Sequence, residues 1–260
     1  VNDGTVSFTG SASGGTGSAN LVNNANGLWS FNDNSTAGAA NVVNLNDLSF
    51  NNSATAGTAT VITNNGATTR FTGTSTGGSA RFITNAGGTF NMSALTSAGM
   101  TAGSIEGAGN YNLGSKTLTT GGNNLSTTVD GVISGAGGSL TKVGTGTLTL
   151  TNINTYSGET TISGGTLALS GFGRLAATSR VTVDATFDIS AITSDIAIST
   201  LAGSSTGVVK TGSKMFEIWS GSTEFSGSIQ DAGGLRMFIG TQTLSGNNTY
   251  TGTTQLYGGT

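Results

Sequence analysis

Residues 135–170 read GAGGSLTKVGTGTLTLTNINTYSGETTISGGTLALS. Within them Thr147-Leu148-Thr149-Leu150 alternates polar and apolar, the period-2 pattern of a strand with one buried face. Thr161-Ile162-Ser163 and Thr166-Leu167-Ala168-Leu169 do the same. Gly144, Gly146, Asn152, Asn154, Gly158 and the Gly164-Gly165 pair separate these runs. Such residues accept positive φ or bond their own backbone in a turn. The stretch is therefore three or four short strands joined by tight corners, with no helical period.

Working outward, residues 1 to about 100 carry a shorter repeat. Gly-x-Ala recurs at Gly17/Ala19, Gly38/Ala40, Gly57/Ala59 and Gly78/Ala80, with spacings of 21, 19 and 21. An apolar pair follows each: Leu21-Val22, Val42-Val43, Val61-Ile62 and Phe82-Ile83. A Phe then marks the next strand at Phe31, Phe50, Phe71 and Phe90, with Phe8 leading the series. Asn24, Asn64 and Asn85 share a register that Leu45 breaks. A unit of about 20 residues buries its apolar face only by stacking on its neighbours. It lacks the L-x-x-L-x-L frame of leucine-rich repeats and the six-residue period of left-handed hexapeptide coils. A right-handed β-solenoid with one coil per repeat fits, with Phe stacking on Phe inside and Asn on Asn at a corner, ~4.8 Å apart.

The second half has a longer period. Ser104-Ile105-Glu106-Gly107 recurs as Thr200-Leu201-Ala202-Gly203, and Gly114-Ser115-Lys116 as Gly212-Ser213-Lys214. Gly131-Val132-Ile133 recurs as Gly227-Ser228-Ile229, and Asn154-Thr155-Tyr156-Ser157-Gly158 as Asn248-Thr249-Tyr250-Thr251-Gly252. The offset of 94 to 98 residues marks a duplicated block of four or five coils. In the second copy Arg236-Met237-Phe238-Ile239 replaces the Lys-x-Gly-x-Gly-Thr run. Between the copies, Val181-Thr182-Val183 and Phe187-Asp188-Ile189 alternate like strands, and Arg174-Leu175-Ala176-Ala177 suits a short helical turn. The reading divides one continuous rod into residues 1–102 (short-period coils), 103–170 (first long block), 171–200 (connecting coils) and 201–260 (second, degenerate block). At ~4.8 Å per coil, about a dozen coils make a rod of roughly 60 Å. The expected class is all-β, a right-handed parallel β-helix without substantial helix.

Three groups of residues in residues 140–167 carry a family resemblance: Leu140-Thr141-Lys142-x-Gly144-x-Gly146-Thr147-Leu148-x-Leu150, then Asn154-Thr155-Tyr156-x-Gly158-x-Thr160, then Gly165-Thr166-Leu167. They resemble the autotransporter-associated β-strand repeat, also described as the passenger-associated transport repeat. The resemblance covers about a seventh of the chain. It implies the β-helical passenger of a Gram-negative type V secreted protein, exported to the cell surface, with an outer-membrane β-barrel at the C-terminus of the full-length chain. It gives Lys142, Gly144, Gly146, Leu148, Leu150, Tyr156, Gly158, Gly165 and Leu167 a structural role in the repeat.

Composition narrows the functions. A net charge of −3, with 9 Lys and Arg scattered through 260 residues, offers no basic face for nucleic acid or for a membrane surface. No run of 18 apolar residues is present to span a bilayer as a helix. Cys and His are both absent, which removes Ser-His and Cys-His nucleophile systems and zinc sites of the usual nitrogen and sulfur type. Val1 in place of Met, and Tyr257-Gly258-Gly259-Thr260 stopping where the repeat would enter a strand, read as the two ends of a fragment.

Carboxylate chemistry remains open. Asp184 and Asp188, four apart on a strand, lie too far from each other for a glycosidase pair. Asp188, Asp195, Glu217 and Glu224 are candidates to meet across coils, although solvated surface carboxylates are the simpler reading. Asp33, Asp47 and Asp130 sit in no D-x-D-x-D-G loop and predict no calcium site. Lys116, Lys142 and Lys214 are expected as solvated strand lysines rather than a cationic groove. Trp29, Trp219, Tyr111, Tyr156, Tyr250 and Tyr257 are candidates for a sugar-stacking surface, but the shared repeat position of Tyr156 and Tyr250 favours a structural corner. The threonine runs of Thr145 to Thr151 do not recur coil after coil, which argues against a flat hydroxyl array.

The sequence thus predicts a non-catalytic stalk or adhesive segment, without cofactor or metal, that folds coil by coil during export. Its partners are expected on host or neighbouring cells, or in itself. The alternatives are a polysaccharide lyase or hydrolase on the same scaffold, since fold does not fix function, and a self-assembling surface filament.

Overall fold

The chain was analysed as a computed structural model that describes residues 3–260. Among these residues there is no helix, and every pairing between strands is parallel. About a dozen coils stack into a β-solenoid. Each coil turns through three faces. The first face opens with Asn20–Asn23, Asn41–Asn44, Thr60–Thr63, Arg81–Thr84 and Ser104–Glu106. A bridge from Gly107 to Val129 carries it on into Thr127–Val129, Thr147–Leu150, Thr166–Gly171, Thr186–Ile192, Val208–Lys210 and Ser228–Gln230.

The second face runs from Thr5–Phe8 to Ile133–Ser134 and resumes at Ile196–Ile198, ending in Thr254–Leu256. Between those stretches it holds no regular strand, only the bridge from Ile153 to Arg174. The third face begins as single bridges, Ser13 to Thr36 to Thr55 to Thr76, and widens into six strands from Gly99–Ala102 to Thr200–Ala202. Pairing is unbroken across positions 102/103, 170/171 and 200/201.

The core is a set of columns along the axis. Leu21, Val42, Val61, Phe82 and Ile105 are register partners on the first face. On the second, Phe8, Phe31, Phe50 and Phe71 stack at centroid distances of 4.3, 5.0 and 5.0 Å with ring planes within 9°. Phe90 and Tyr111 continue the column at 5.3 and 5.6 Å, now tilted. The expected Phe stack is therefore present. It arises because a repeat near 20 residues returns the same side chain to the same azimuth, and rings one strand spacing apart bury each other's faces. At the corner, Asn85 donates to the Asn64 side chain at 2.8 Å, as expected of a shared register. The sequence reading missed the inner ladder one residue earlier, where buried Asn23 donates to Asn44 at 2.8 Å.

One expectation needs correcting. Arg174-Leu175-Ala176-Ala177 is an extended segment with a turn, not helical. Arg174 is occupied by its bridge to Ile153, and its N–H bonds across coils to the Asn152 carbonyl, leaving no ladder for a helix to form. The duplicated blocks do not superpose by translation along the rod. Ser104–Glu106 lies on the first face and Thr200–Ala202 on the third; Ile133 lies on the second face and Ile229 on the first. The offset thus comprises four complete coils and two further faces, so the second copy is the first one turned about the axis.

Candidate functional site

The repeat motif builds a corner rather than a cleft. Asn154 is buried, and its Oδ1 accepts the Ile133 N–H of the previous coil at 2.9 Å while its Nδ2 donates to the carbonyls of Asn152 and Arg174 at 3.0 and 3.1 Å. The Asn side chain so completes a backbone ladder where the second face has no strand. The Thr155, Ser157 and Gly158 N–H groups dock on Ile133, Gly135 and Gly138 below. Tyr156 enters the core, and its hydroxyl meets the Thr160 hydroxyl at 2.7 Å. Burial pushes its phenol far above the ordinary tyrosine value.

The second copy repeats these bonds. Asn248 Oδ1 accepts the Ile229 N–H at 2.9 Å, its Nδ2 donates to Gly246 at 3.0 Å, and the Tyr250 and Thr254 hydroxyls meet at 2.7 Å. Tyr156 and Tyr250 are structural, as their shared position suggested.

The glycines of the motif are set by the closeness of neighbouring coils. A Cβ on Gly146 would lie 2.3 Å from the Leu125 carbonyl oxygen, and one on Gly158 2.5 Å from that of Gly138. Gly144 and Gly165 also turn with φ of 69° and 63°, conformations that cost other residues strain. Leu148, Leu150 and Leu167 are buried on the first face.

Lys142 overturns the expectation of a solvated lysine. It is 1 % exposed and stands in an interior column between Thr120 and Ile162. Its ammonium donates to the carbonyls of Val143 at 2.7 Å, Gly144 at 3.4 Å and Gly164 of the next coil at 3.1 Å. The aliphatic stem fills core volume while the charge ties two coils together at a corner. Burial lowers its pKa from the ordinary lysine value. Sequence reasoning missed this because alternation from Leu140 places position 142 inward, and a lysine there overrode the pattern. Lys116 and Lys214 lie at different corners, one before Thr117–Thr120 on the third face and one before Met215–Gly221 on the second, so they form no common groove.

The carboxylates do not converge either. Asp188 lies on the first face, Glu217 on the second and Glu224 on the third, which overturns the suggestion that they meet. Asp184 accepts the Ser204 N–H, Asp195 the Met215 N–H, and Asp188 the Ser190 hydroxyl, while Glu217 pairs with Arg236. Asp47 forms a two-point pair with Arg70 at 2.8 and 2.9 Å, Asp33 accepts from Gly10, and Asp130 from Thr151. Among the described residues no group of three or more acidic side chains gathers to hold a metal.

Two surface features went unread. The Thr145–Thr151 run does not recur, since Thr149 pairs with Ala168. On the third face, however, Thr101, Thr119, Thr141, Thr161 and Thr182 are successive register partners and form an outward threonine column. It escaped notice because its members come from different motifs. Of the six aromatic candidates, Trp29, Tyr111 and Tyr156 are buried, and Tyr250 packs against the core. Trp219 and Tyr257 are exposed, and with Phe238 they form an outward stack with centroids 4.7 and 5.3 Å apart.

The model of the passenger-associated-transport-repeat family matches residues 140–169 and 239–260. Those spans contain both copies of the Asn-Thr-Tyr corner, carried on one β-solenoid. The chain carries two passenger-associated transport repeats, the repeat found in autotransporter passengers. No curated protein and no solved structure matches it. The second match begins at Ile239, the last residue of the altered run. Leu235 pairs with Thr254 as Leu140 pairs with Thr160, so Met237 occupies the interior place of Lys142 and Arg236 faces outward. The matching family is a structural repeat, and its members belong to secreted or cell-surface proteins.

Proposed function

We propose that the chain is a non-catalytic stalk with an adhesive surface, displayed outside the outer membrane of a Gram-negative bacterium by a type V secretion route. A C-terminal β-barrel in the full-length protein serves as translocator. The observation that carries this reading is the pattern of contacts: each coil takes its hydrogen bonds and apolar cover from the coils directly above and below. A rod of that kind grows one coil at a time, without waiting for a distant part of the chain. The interior columns and the Asn154 and Lys142 clamps stabilise each new coil as it leaves the pore, so folding outside the cell opposes back-sliding. Partners are surface molecules of host or neighbouring cells; a net charge of −3 with scattered cations does not suit nucleic acid.

Bacteria carrying the full-length gene, and a variant lacking residues 140–260, test this. Loss of both protease-accessible surface protein and cell attachment in the variant is the expected result. Undiminished attachment with normal surface display overturns the adhesive role, and cytosolic retention of the intact protein overturns the export route.

A further inference from the structure

The outward aromatic stack ends in a step. Trp219 lies against Phe238 on one side, but the register neighbour on its other side is Ser199, whose carbonyl accepts the Ser220 N–H. A column that is aromatic for three coils becomes small, so one indole face is left open over a recess of about 340 Å3 lined by Ala177, Thr178, Ser199 and Trp219. Trp219 is 50 % exposed. A second recess of about 440 Å3 shares Ala177 and Thr178 and extends to Ile153. Together they form a groove along the second face, from Ile153 to Trp219. At ~4.8 Å per coil it runs about 14 Å along the axis.

The chemistry of this groove is specific. Its lining is largely apolar, from Ile153, Leu175 and Ile196 to the small Ala177, with the hydroxyls of Thr155, Thr178 and Ser199 beside them and a flat indole at one end. Its single charged residue, Arg174, is committed to the Ser194 hydroxyl and to the Asp195 carbonyl. Arg174 lines only the recess away from the indole; the recess beside Trp219 carries no charged side chain, so it complements an uncharged ligand.

We infer that Trp219 and the Ala177–Ser199 recess form a binding site for an uncharged polysaccharide, one pyranose ring packing its C–H face on the indole while hydroxyls bond Thr178 and Ser199. The site rests on the adhesive reading above and gives it a ligand class.

Titration of the 260-residue chain with cello-, malto- and chito-hexaose, followed by calorimetry and by tryptophan emission, tests it. At least one neutral hexamer binds and shifts the emission, Trp219→Ala weakens that affinity by about 5- to 10-fold, and Ser199→Trp, which fills the recess, abolishes it. Circular dichroism shows both variants folded, and Trp219→Phe keeps part of the affinity. Absence of binding to all three, equal affinity in Trp219→Ala, or a response only to acidic oligosaccharides or to peptides overturns the proposal. Bacterial attachment separates the two claims. Attachment that survives Trp219→Ala, with no hexamer bound by the wild-type chain, sinks the sugar site alone; hexamer binding by a chain whose removal leaves attachment intact sinks the adhesive role alone.

Discussion

Lys142 and Met237 hold equivalent interior positions in the two copies of the repeat, each buried to within 2 % of full enclosure. One presents an ammonium to three carbonyls and the other a thioether to the core. The volume is similar; only the charge differs. Lys142→Met therefore keeps the packing and exchanges three hydrogen bonds for relief of a desolvated charge, a change of less than about 1.5 kcal/mol. Lys142→Ala loses the stem as well and costs about 2–4 kcal/mol. Urea midpoints of the two variants give the comparison, and equal losses would refute the packing role of the stem.

Asn154 is the more demanding position, because it serves one backbone donor and two backbone acceptors on three segments. Asn154→Ala strands the Ile133 N–H inside the rod, at a cost of about 2–3 kcal/mol. Asn154→Asp retains the acceptor but points a carboxylate at two carbonyls, and is expected to be worse. Hydrogen exchange reads this locally: the Ile133 amide loses protection in Asn154→Ala, whereas Asn154→Asp keeps that bond and loses protection only as the coil as a whole is destabilised.

Gly158→Ala places a methyl 2.3 Å from the Ser139 hydroxyl oxygen and 2.5 Å from the Gly138 carbonyl oxygen. Neighbouring coils must part to admit it. The expected loss is about 2–4 kcal/mol, in the range of overpacked sites. Gly122→Ala, where nothing lies within 4 Å, is the control and stays within about 0.5 kcal/mol.

Alkaline stability carries two opposed contributions. Burial raises the phenols of Tyr111 and Tyr156, so above pH ~10 the unfolded chain releases those protons first and stability falls as pH rises. Below pH ~10 their contribution is complete. Lys142 is shifted the other way, so its contribution grows as pH climbs from its lowered folded value towards the ordinary lysine value near ~10.4. Tyr156→Phe is expected to lower stability at pH 7 by about 1 kcal/mol, through the lost Thr160 bond, and to flatten the decline above pH ~10. Denaturant midpoints from pH 7 to pH 11 measure both effects; an unchanged alkaline slope contradicts the role of the buried phenol.

Much of this architecture was legible because its period is a local property. The Phe8–Phe90 series and the Gly-x-Ala signals report the coil length directly, and any side chain that returns every 19 to 21 residues must stack on its predecessor. The family resemblance located the corner, and its glycines and Tyr156 proved structural for steric reasons that the sequence alone does not display. What escaped was everything that depends on azimuth. The Thr101–Thr182 column draws one residue from each of several unlike motifs, so no string search aligns it. Trp219, Phe238 and Tyr257 lie 19 residues apart each, yet they differ in type and fall in the degenerate block. Lys142 was misjudged because residue type was given more weight than alternation.

The turned duplication has a mechanical corollary. Because each block advances the chain by a fractional number of coils, adding or deleting one block swings everything beyond it to a new compass bearing, whereas three in succession would restore the original heading. Length and aim are thus geared together in this rod. A lineage that varies its block number would sweep the Trp219 shelf around the cell's outward radius, reaching new neighbours without altering a single contact residue.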